Sequence, residues 1–170
     1  AYSAFANGGL TAMPLYVTRI CDNRGNVIAE FVPQHTQVFS EDTHYKMVDM
    51  MTSVVQRGTG RTILKYIGGA QTCGKTGTTN SNSDGWFMAF TPELVTGVWV
   101  GGEERYIRNI GTGGAVSAPV YGKFMQQVYA DKSLPYRTSA KFKFPQGYSP
   151  CQDELGRVYS GGGGGYAVLP

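Results

Sequence analysis

Long hydrophobic runs are missing from this 170-residue chain. No apolar stretch reaches the length a bilayer-spanning helix needs, and no signal-peptide pattern opens the sequence. For a freestanding protein that would suggest the cytoplasm; for a piece of a longer chain it carries no address. Cysteine is scarce: Cys21, Cys73 and Cys151 stand far apart, with no C-x-x-C pair to suggest zinc or a redox site. In an exported protein an odd count leaves at least one thiol without an intrachain partner. Histidine is scarcer still. His35 sits in a polar linker and His44 on an expected helix, and neither has a second histidine or paired carboxylate at ligand spacing, so no metal is implied. The formal net charge of +3 is spread along the chain, and no basic cluster interleaved with aromatics makes a case for nucleic acid.

With 41% hydrophobic residues, the chain can bury a real core as one domain. Its most informative stretch is Lys75-Thr76-Gly77-Thr78-Thr79. Letter for letter, Gly69 to Thr76 satisfies the phosphate-loop pattern G-x-x-x-x-G-K-S/T, which would suggest a nucleotide site. A phosphate loop needs a helix starting at the Lys-Thr pair, with free N–H groups facing the phosphates. The residues from Gly77 to Gly85 contain no apolar side chain to seat such a helix, and Asp84-Gly85 marks a turn.

The other reading places Lys75 to Thr78 on a β-strand, as the K-T-G element of penicillin-interacting serine enzymes. Side chains alternate on a strand, so Thr76 and Thr78 share one face and Lys75 and Gly77 the other. Two hydroxyls beside an ammonium suit a carboxylate, and Gly77 lets the strand lie close against its neighbour. Trp86 to Phe90 and Leu94 to Val100 form two more strands, broken at Thr91-Pro92-Glu93, so the three read as an antiparallel meander. Beyond a Gly-rich loop from Gly101 to Gly114, Ser117 is expected to cap a helix with Pro119 in its first turn and Val120, Phe124, Met125 and Val128 on its apolar face.

Upstream, Tyr2 and Phe5 share a face of a helix end that Gly8 stops. Leu15–Cys21 and Val27–Val32 flank the turn Asp22-Asn23-Arg24-Gly25 as a hairpin. Ser40 caps a helix running from Glu41 to about Gln56, with Tyr45, Val48, Met51 and Val55 along one face and Gly58 at its end. Cys73 is expected to be a small side chain packed on its strand rather than a catalytic thiol. Past Asp131 periodicity fades, and Ser160 to Gly165 reads as a flexible tail. The fold class is α+β: an antiparallel sheet centred on residues 71–100 with flanking helices near 41–56 and 117–131.

Several of these motifs together resemble the transpeptidase domain of class A penicillin-binding proteins over most of residues 1–131. They are Tyr2 to Gly9, Arg57-Gly58-Thr59-Gly60, Gly74 to Asn80, Asp84-Gly85-Trp86-Phe87, Thr91-Pro92, and Val98-Trp99-Val100-Gly101, all in the family's order. The resemblance implies the penicillin-binding and serine β-lactamase-like fold, with residues 132–170 as an irregular extension. It also implies acyl transfer through a serine, with D-Ala-D-Ala stem peptides of peptidoglycan and β-lactams as partners and no cofactor. The parent would be anchored in the bacterial inner membrane with this part outside. Carried over residue by residue, Lys75, Thr76, Gly77 and Thr78 form the substrate wall. The Thr76 and Thr78 hydroxyls hold the carboxylate, the Thr78 backbone N–H supplies half of the oxyanion hole, and Lys75 supports the electrostatics.

The family also requires S-x-x-K, which carries the nucleophile and its base, and S-x-N on a neighbouring loop. Neither occurs here: Ser139-Ala140-Lys141 has its lysine one place early, and Ser81-Asn82-Ser83 lacks the asparagine. Both motifs precede the Tyr2 to Gly9 segment in the family, so the chain reads as a C-terminal part, inactive alone and completed by the missing N-terminal part. Uncovering an apolar sheet face would favour self-association. The alternatives are a serine β-lactamase or β-lactam sensor, which should not show Phe5 to Gly9 and Gly58-Thr59-Gly60 together, and a nucleotide-binding protein with a helix after Lys75.

Overall fold

A computed structural model describes residues 1–103, 110–149 and 167–168. The chain opens with α1 (Tyr2–Ala6), which Gly8 and Gly9 terminate at φ of 63° and 85°. Backbone of this handedness suits glycine, which has no Cβ to clash. Strand β1 (Leu10–Ala12) follows, then the exposed hairpin of β2 (Arg19–Cys21) and β3 (Val27–Glu30), and β4 (His35–Gln37), which pairs back on β1. Asp22 builds the hairpin turn by accepting the Arg24 and Asn26 backbone N–H groups, each at 2.8 Å. The hairpin strands are shorter than the sequence runs suggest. His35 lies in β4 rather than in a linker.

Helix α2 (Glu41–Gln56) begins as its sequence dictates: the Ser40 hydroxyl accepts the Thr43 N–H at 3.2 Å, and Glu41 and Asp42 occupy the first turn. A capping side chain of this type stabilises a helix by about 1 kcal/mol. Val48, Met51 and Val55 are buried, as their helical spacing requires. The Arg57 and Gly58 N–H groups both return to the Ser53 carbonyl, and the helix stops there.

The central sheet is the meander β5 (Cys73–Thr78), β6 (Asp84–Phe90) and β7 (Val95–Gly101), in that order and antiparallel throughout. Thr91 closes the β6–β7 turn, its N–H bonding the Leu94 carbonyl at 2.9 Å while its hydroxyl accepts the Leu94 N–H at 3.1 Å. Mixed helix and antiparallel sheet is the fold class the sequence leads one to expect. Phe87 and Ala89 face α3 (Gly113–Ala130), where Phe87 meets Tyr121 edge to face with ring centroids 5.3 Å apart. Val55, Ile63, Ile67, Met125 and Val128 complete that core. Full burial of a side chain such as Phe87 or Met125 contributes about 1.5–3 kcal/mol. On the opposite face Val48, Met51, Cys73 and Phe90 pack with Phe142 and Phe144, the latter in the short strand β8 (Lys143–Phe144). A two-residue β9 (Ala167–Val168) pairs with β8 in parallel.

The start of α3 differs from the sequence expectation of residues 117–131. Thr112, not Ser117, occupies the N-cap position, and Pro119 lies well inside the helix. Ser117 is buried and donates its hydroxyl to the Gly85 carbonyl at 2.7 Å. Val120 and Phe124 are about half exposed, so the buried face runs through Ala118, Tyr121, Met125 and Val128 instead. The physical reason is Gly113-Gly114: without side chains, Gly113 packs on the Gly77 and Trp86 carbonyls of the sheet and Gly114 on the Thr59 carbonyl, so the helix extends toward its N-terminal side. Cys151 and the expected Ser160–Gly165 tail lie outside the described residues, as does the middle of the Gly101–Gly114 loop.

Candidate active site

Among the described residues strand β5 is an edge of the sheet, hydrogen-bonded only to β6. The Lys75-Thr76 pair lies inside this strand, and only a short 3-10 turn at Asn80–Asn82 follows before β6. No helix starts where a phosphate loop would need one, so the phosphate-loop reading fails on its own criterion.

The register fixes which backbone groups of β5 are free. The Thr79 N–H bonds the Asp84 carbonyl at 3.1 Å, and the register pairs Thr78 with Gly85 and Gly77 with Trp86. In an antiparallel ladder hydrogen bonding alternates from residue to residue. Counting back from Thr79, residues 77 and 75 bond β6, whereas the Thr76 and Thr78 N–H groups point off the open edge.

Side-chain alternation sorts the same residues by face. Cys73, Lys75 and Gly77 lie on the face that carries Trp86 and Met88, while Gly74, Thr76 and Thr78 lie on the face that carries Phe87. Both threonine hydroxyls are held from outside the strand. Thr76 Oγ1 is 2.8 Å from Thr59 Oγ1, and Thr78 Oγ1 accepts the Gly113 N–H, the first of α3, at 3.1 Å. Gly77 allows close packing, since a Cβ there would stand 3.2 Å from Trp86 Cβ and push it back by a few tenths of an ångström. The exposed Lys75 ammonium donates to the Thr76 carbonyl and makes no ion pair among the described residues.

A depression of about 490 Å³ spans this edge, lined by Tyr2, Lys75, Thr76, Gly77, Thr78, Thr79, Trp86 and Met88. All four sequence-predicted site residues line it together. Beyond the β5–β6 turn a second hollow of about 410 Å³ is lined by Thr79, Asn80, Ser83 and Asp84. Chemically, the first depression offers one ammonium, two hydroxyls and outward backbone N–H groups, a donor set for an anion. Sequence reasoning missed Thr59 and Gly113 as partners of the hydroxyls. Thr59 stood out only as part of a recurring motif, and a contact across 17 residues has no local signature.

Comparison with known proteins identifies the family. The penicillin binding protein transpeptidase domain family matches residues 1–126, and the chain belongs to that family. Penicillin-binding protein 1A of Aquifex aeolicus is 37% identical over 133 residues, which is 75% of this chain and 18% of that protein. The protein of the same name from Neisseria lactamica is 35% identical over 141 residues, or 79% of this chain and 17% of its own length. The chain thus spans under a fifth of these relatives. Among solved structures, penicillin-binding protein 1A from Haemophilus influenzae superposes with a TM-score of 0.69 at 21% identity, covering 79% of this chain and 26% of that one. The D,D-transpeptidase domain of a peptidoglycan glycosyltransferase from Eggerthella lenta gives a TM-score of 0.58 at 27% identity, covering 78% and 31%. The imipenem acyl-enzyme of penicillin-binding protein A from M. tuberculosis gives 0.54 at 25% identity, covering 73% and 28%.

Proposed function

We propose that this chain is the C-terminal part of the transpeptidase domain of a class A penicillin-binding protein, with residues 1–131 in the domain and 132–170 as an extension. In the parent, a serine on an S-x-x-K segment attacks the D-Ala-D-Ala carbonyl of a peptidoglycan stem peptide, expels the terminal D-alanine and passes the acyl group to an amine of a second strand. A β-lactam acylates the same serine. This chain contributes the wall opposite that serine. The Thr76 and Thr78 hydroxyls bind the carboxylate, Lys75 provides compensating charge, and the Thr78 N–H donates to the oxyanion, a contribution of roughly 3 kcal/mol in comparable sites. The parent would carry a glycosyltransferase domain, sit in the inner membrane and expose this part on its outer side. Among the described residues themselves, no helix is long and apolar enough to cross a membrane.

The observation that carries this reading is the edge placement of Lys75 to Thr78, with outward N–H groups and both hydroxyls held in place. The bare chain contains neither S-x-x-K nor S-x-N, so fluorescent penicillin should label the parent protein and leave the isolated 170-residue chain unlabelled. A stoichiometric adduct on any serine of the isolated chain would refute the division of labour. Trp86 and Trp99, 43% and 49% exposed on one face, support self-association of the isolated chain; sedimentation as a monomer at every concentration would count against it.

A further inference from the structure

Thr59 lies outside β5, in the loop after α2, yet its hydroxyl is 2.8 Å from that of Thr76. The loop is fixed by backbone contacts: the Gly60 N–H bonds the Val54 carbonyl at 2.9 Å, and the Thr62 hydroxyl bonds the Gly114 carbonyl at 3.1 Å. Thr59 is itself exposed, so its hydroxyl is not required to satisfy a buried group or to fill the core.

We propose that Thr59 is a positioning residue for anion binding, its hydroxyl orienting that of Thr76 so that Thr76 turns its proton outward to a bound carboxylate. The proposal rests on the transpeptidase reading of the site. A hydroxyl has one proton to donate and lone pairs to accept, whereas a carboxylate only accepts. At Thr78 the direction is already set, because the Gly113 N–H occupies an acceptor position and leaves the hydroxyl proton free. Among the described residues Thr76 has no backbone donor of this kind, and its hydroxyl bonds that of Thr59 through one proton. When Thr59 donates, Thr76 reaches the same state as Thr78, with its oxygen filled from behind and its proton facing the ligand. Of the three hydroxyl protons, one then lies between Thr59 and Thr76 and two point to the carboxylate. Donors aligned in series polarise one another and strengthen the outer bond.

The test uses the parent transpeptidase with Thr59→Val, Thr59→Ala and Thr59→Ser, acylated by benzylpenicillin and by its methyl ester, with melting temperature measured alongside. Both hydroxyl-free variants should acylate about fivefold more slowly with the acid, the worth of one hydrogen bond, and at the wild-type rate with the ester. Thr59→Ser should restore the acid rate, and all variants should melt as wild type. An unchanged ratio of acid to ester rates, an equal loss on both ligands, or a failure of serine to rescue would overturn the positioning role. Absence of acylation in the wild-type parent would instead defeat the transpeptidase reading, and this proposal with it.

Discussion

Asp84 Oδ1 accepts the Trp99 indole N–H at 3.0 Å, joining the first residue of β6 to the far strand of the sheet. Its Oδ2 accepts the hydroxyls of Thr79 at 2.9 Å and Ser83 at 3.1 Å, and Thr79 Oγ1 in turn accepts the Asp84 N–H at 2.9 Å. One carboxylate therefore braces the turn that begins immediately after Thr78. That turn holds Ser81 and Asn82 at φ of 61° and 53°, a conformation side chains with a Cβ adopt at a cost, and the bracing offsets it.

Replacing Asp84 by alanine should destabilise the chain by about 1–2 kcal/mol, since three donors lose a charged acceptor while water partly recovers the exposed ones. Urea unfolding measures this directly. Trp99→Phe removes the indole donor together with part of the ring, and the cycle with Asp84→Ala, which cancels the ring loss, should show a coupling of about 0.5–1 kcal/mol. Strict additivity would mean that the Asp84–Trp99 bond does not bear on stability.

Gly113 sets the first turn of α3 directly against the sheet. A Cβ there would stand 2.3 Å from both the Gly77 and the Trp86 carbonyl oxygens. These are backbone atoms of paired strands and cannot rotate away, so the helix end must lift. Gly113→Ala should cost about 1–3 kcal/mol, in the range of core overpacking, and should withdraw the Gly113 N–H from Thr78. Chemical denaturation gives the first quantity. A variant as stable as wild type would show that α3 can dock elsewhere at no cost.

The same helix end marks where sequence reading stopped. Strands β6 and β7 were legible as short apolar runs parted at Thr91-Pro92-Glu93, β5 only through its K-T-G element, and α2 because Ser40 and the spacing of Val48, Met51 and Val55 are local signals. Ser117 and Pro119 look like a helix entrance, while the true entrance depends on Gly113 meeting carbonyls of β5 and β6 and on Gly114 meeting the Thr59 carbonyl. Phe142 and Phe144 alternate with Lys141 and Lys143, a pattern of period two too short to mark a strand by itself, yet Phe142 packs on Phe90 with ring centroids 5.8 Å apart. Of the site, Lys75 to Thr78 could be read as a motif. The partners of its hydroxyls could not, because only the folded chain brings Thr59 and Gly113 to them.

Cys73 is fully buried, two residues before Lys75 on the same strand. Its thiol donates to the Val48 carbonyl at 3.3 Å and lies 3.3 Å from the Thr52 hydroxyl. Burial raises its pKa far above the ordinary thiol value, with nearby Asp49 adding to the effect and the Thr52 contact opposing it. Only the thiolate is nucleophilic. In the native chain at pH 8, iodoacetamide should modify the exposed Cys21 and spare Cys73, and peptide mapping should find Cys73 alkylated only after denaturation. Prompt native labelling of Cys73 would show that this strand opens.

His44 joins α2 to the end of α1, its Nδ1–H donating to the Phe5 carbonyl at 2.8 Å. Burial lowers its pKa below the ordinary 6.5, outweighing the Phe5 hydrogen bond and the Glu41 charge, which act the other way. Between the lowered folded value and 6.5 the unfolded chain binds more protons than the folded one, so stability rises with pH across that window. The contribution is complete above the unfolded pKa and is lost as pH falls through 6.5 toward the folded value. Urea midpoints at pH 7.5 and 5.5 should therefore fall more in the wild type than in His44→Asn, whose amide can still donate to Phe5 but does not titrate. Equal falls in both proteins would assign the acid sensitivity to other groups and leave the α1–α2 contact indifferent to pH.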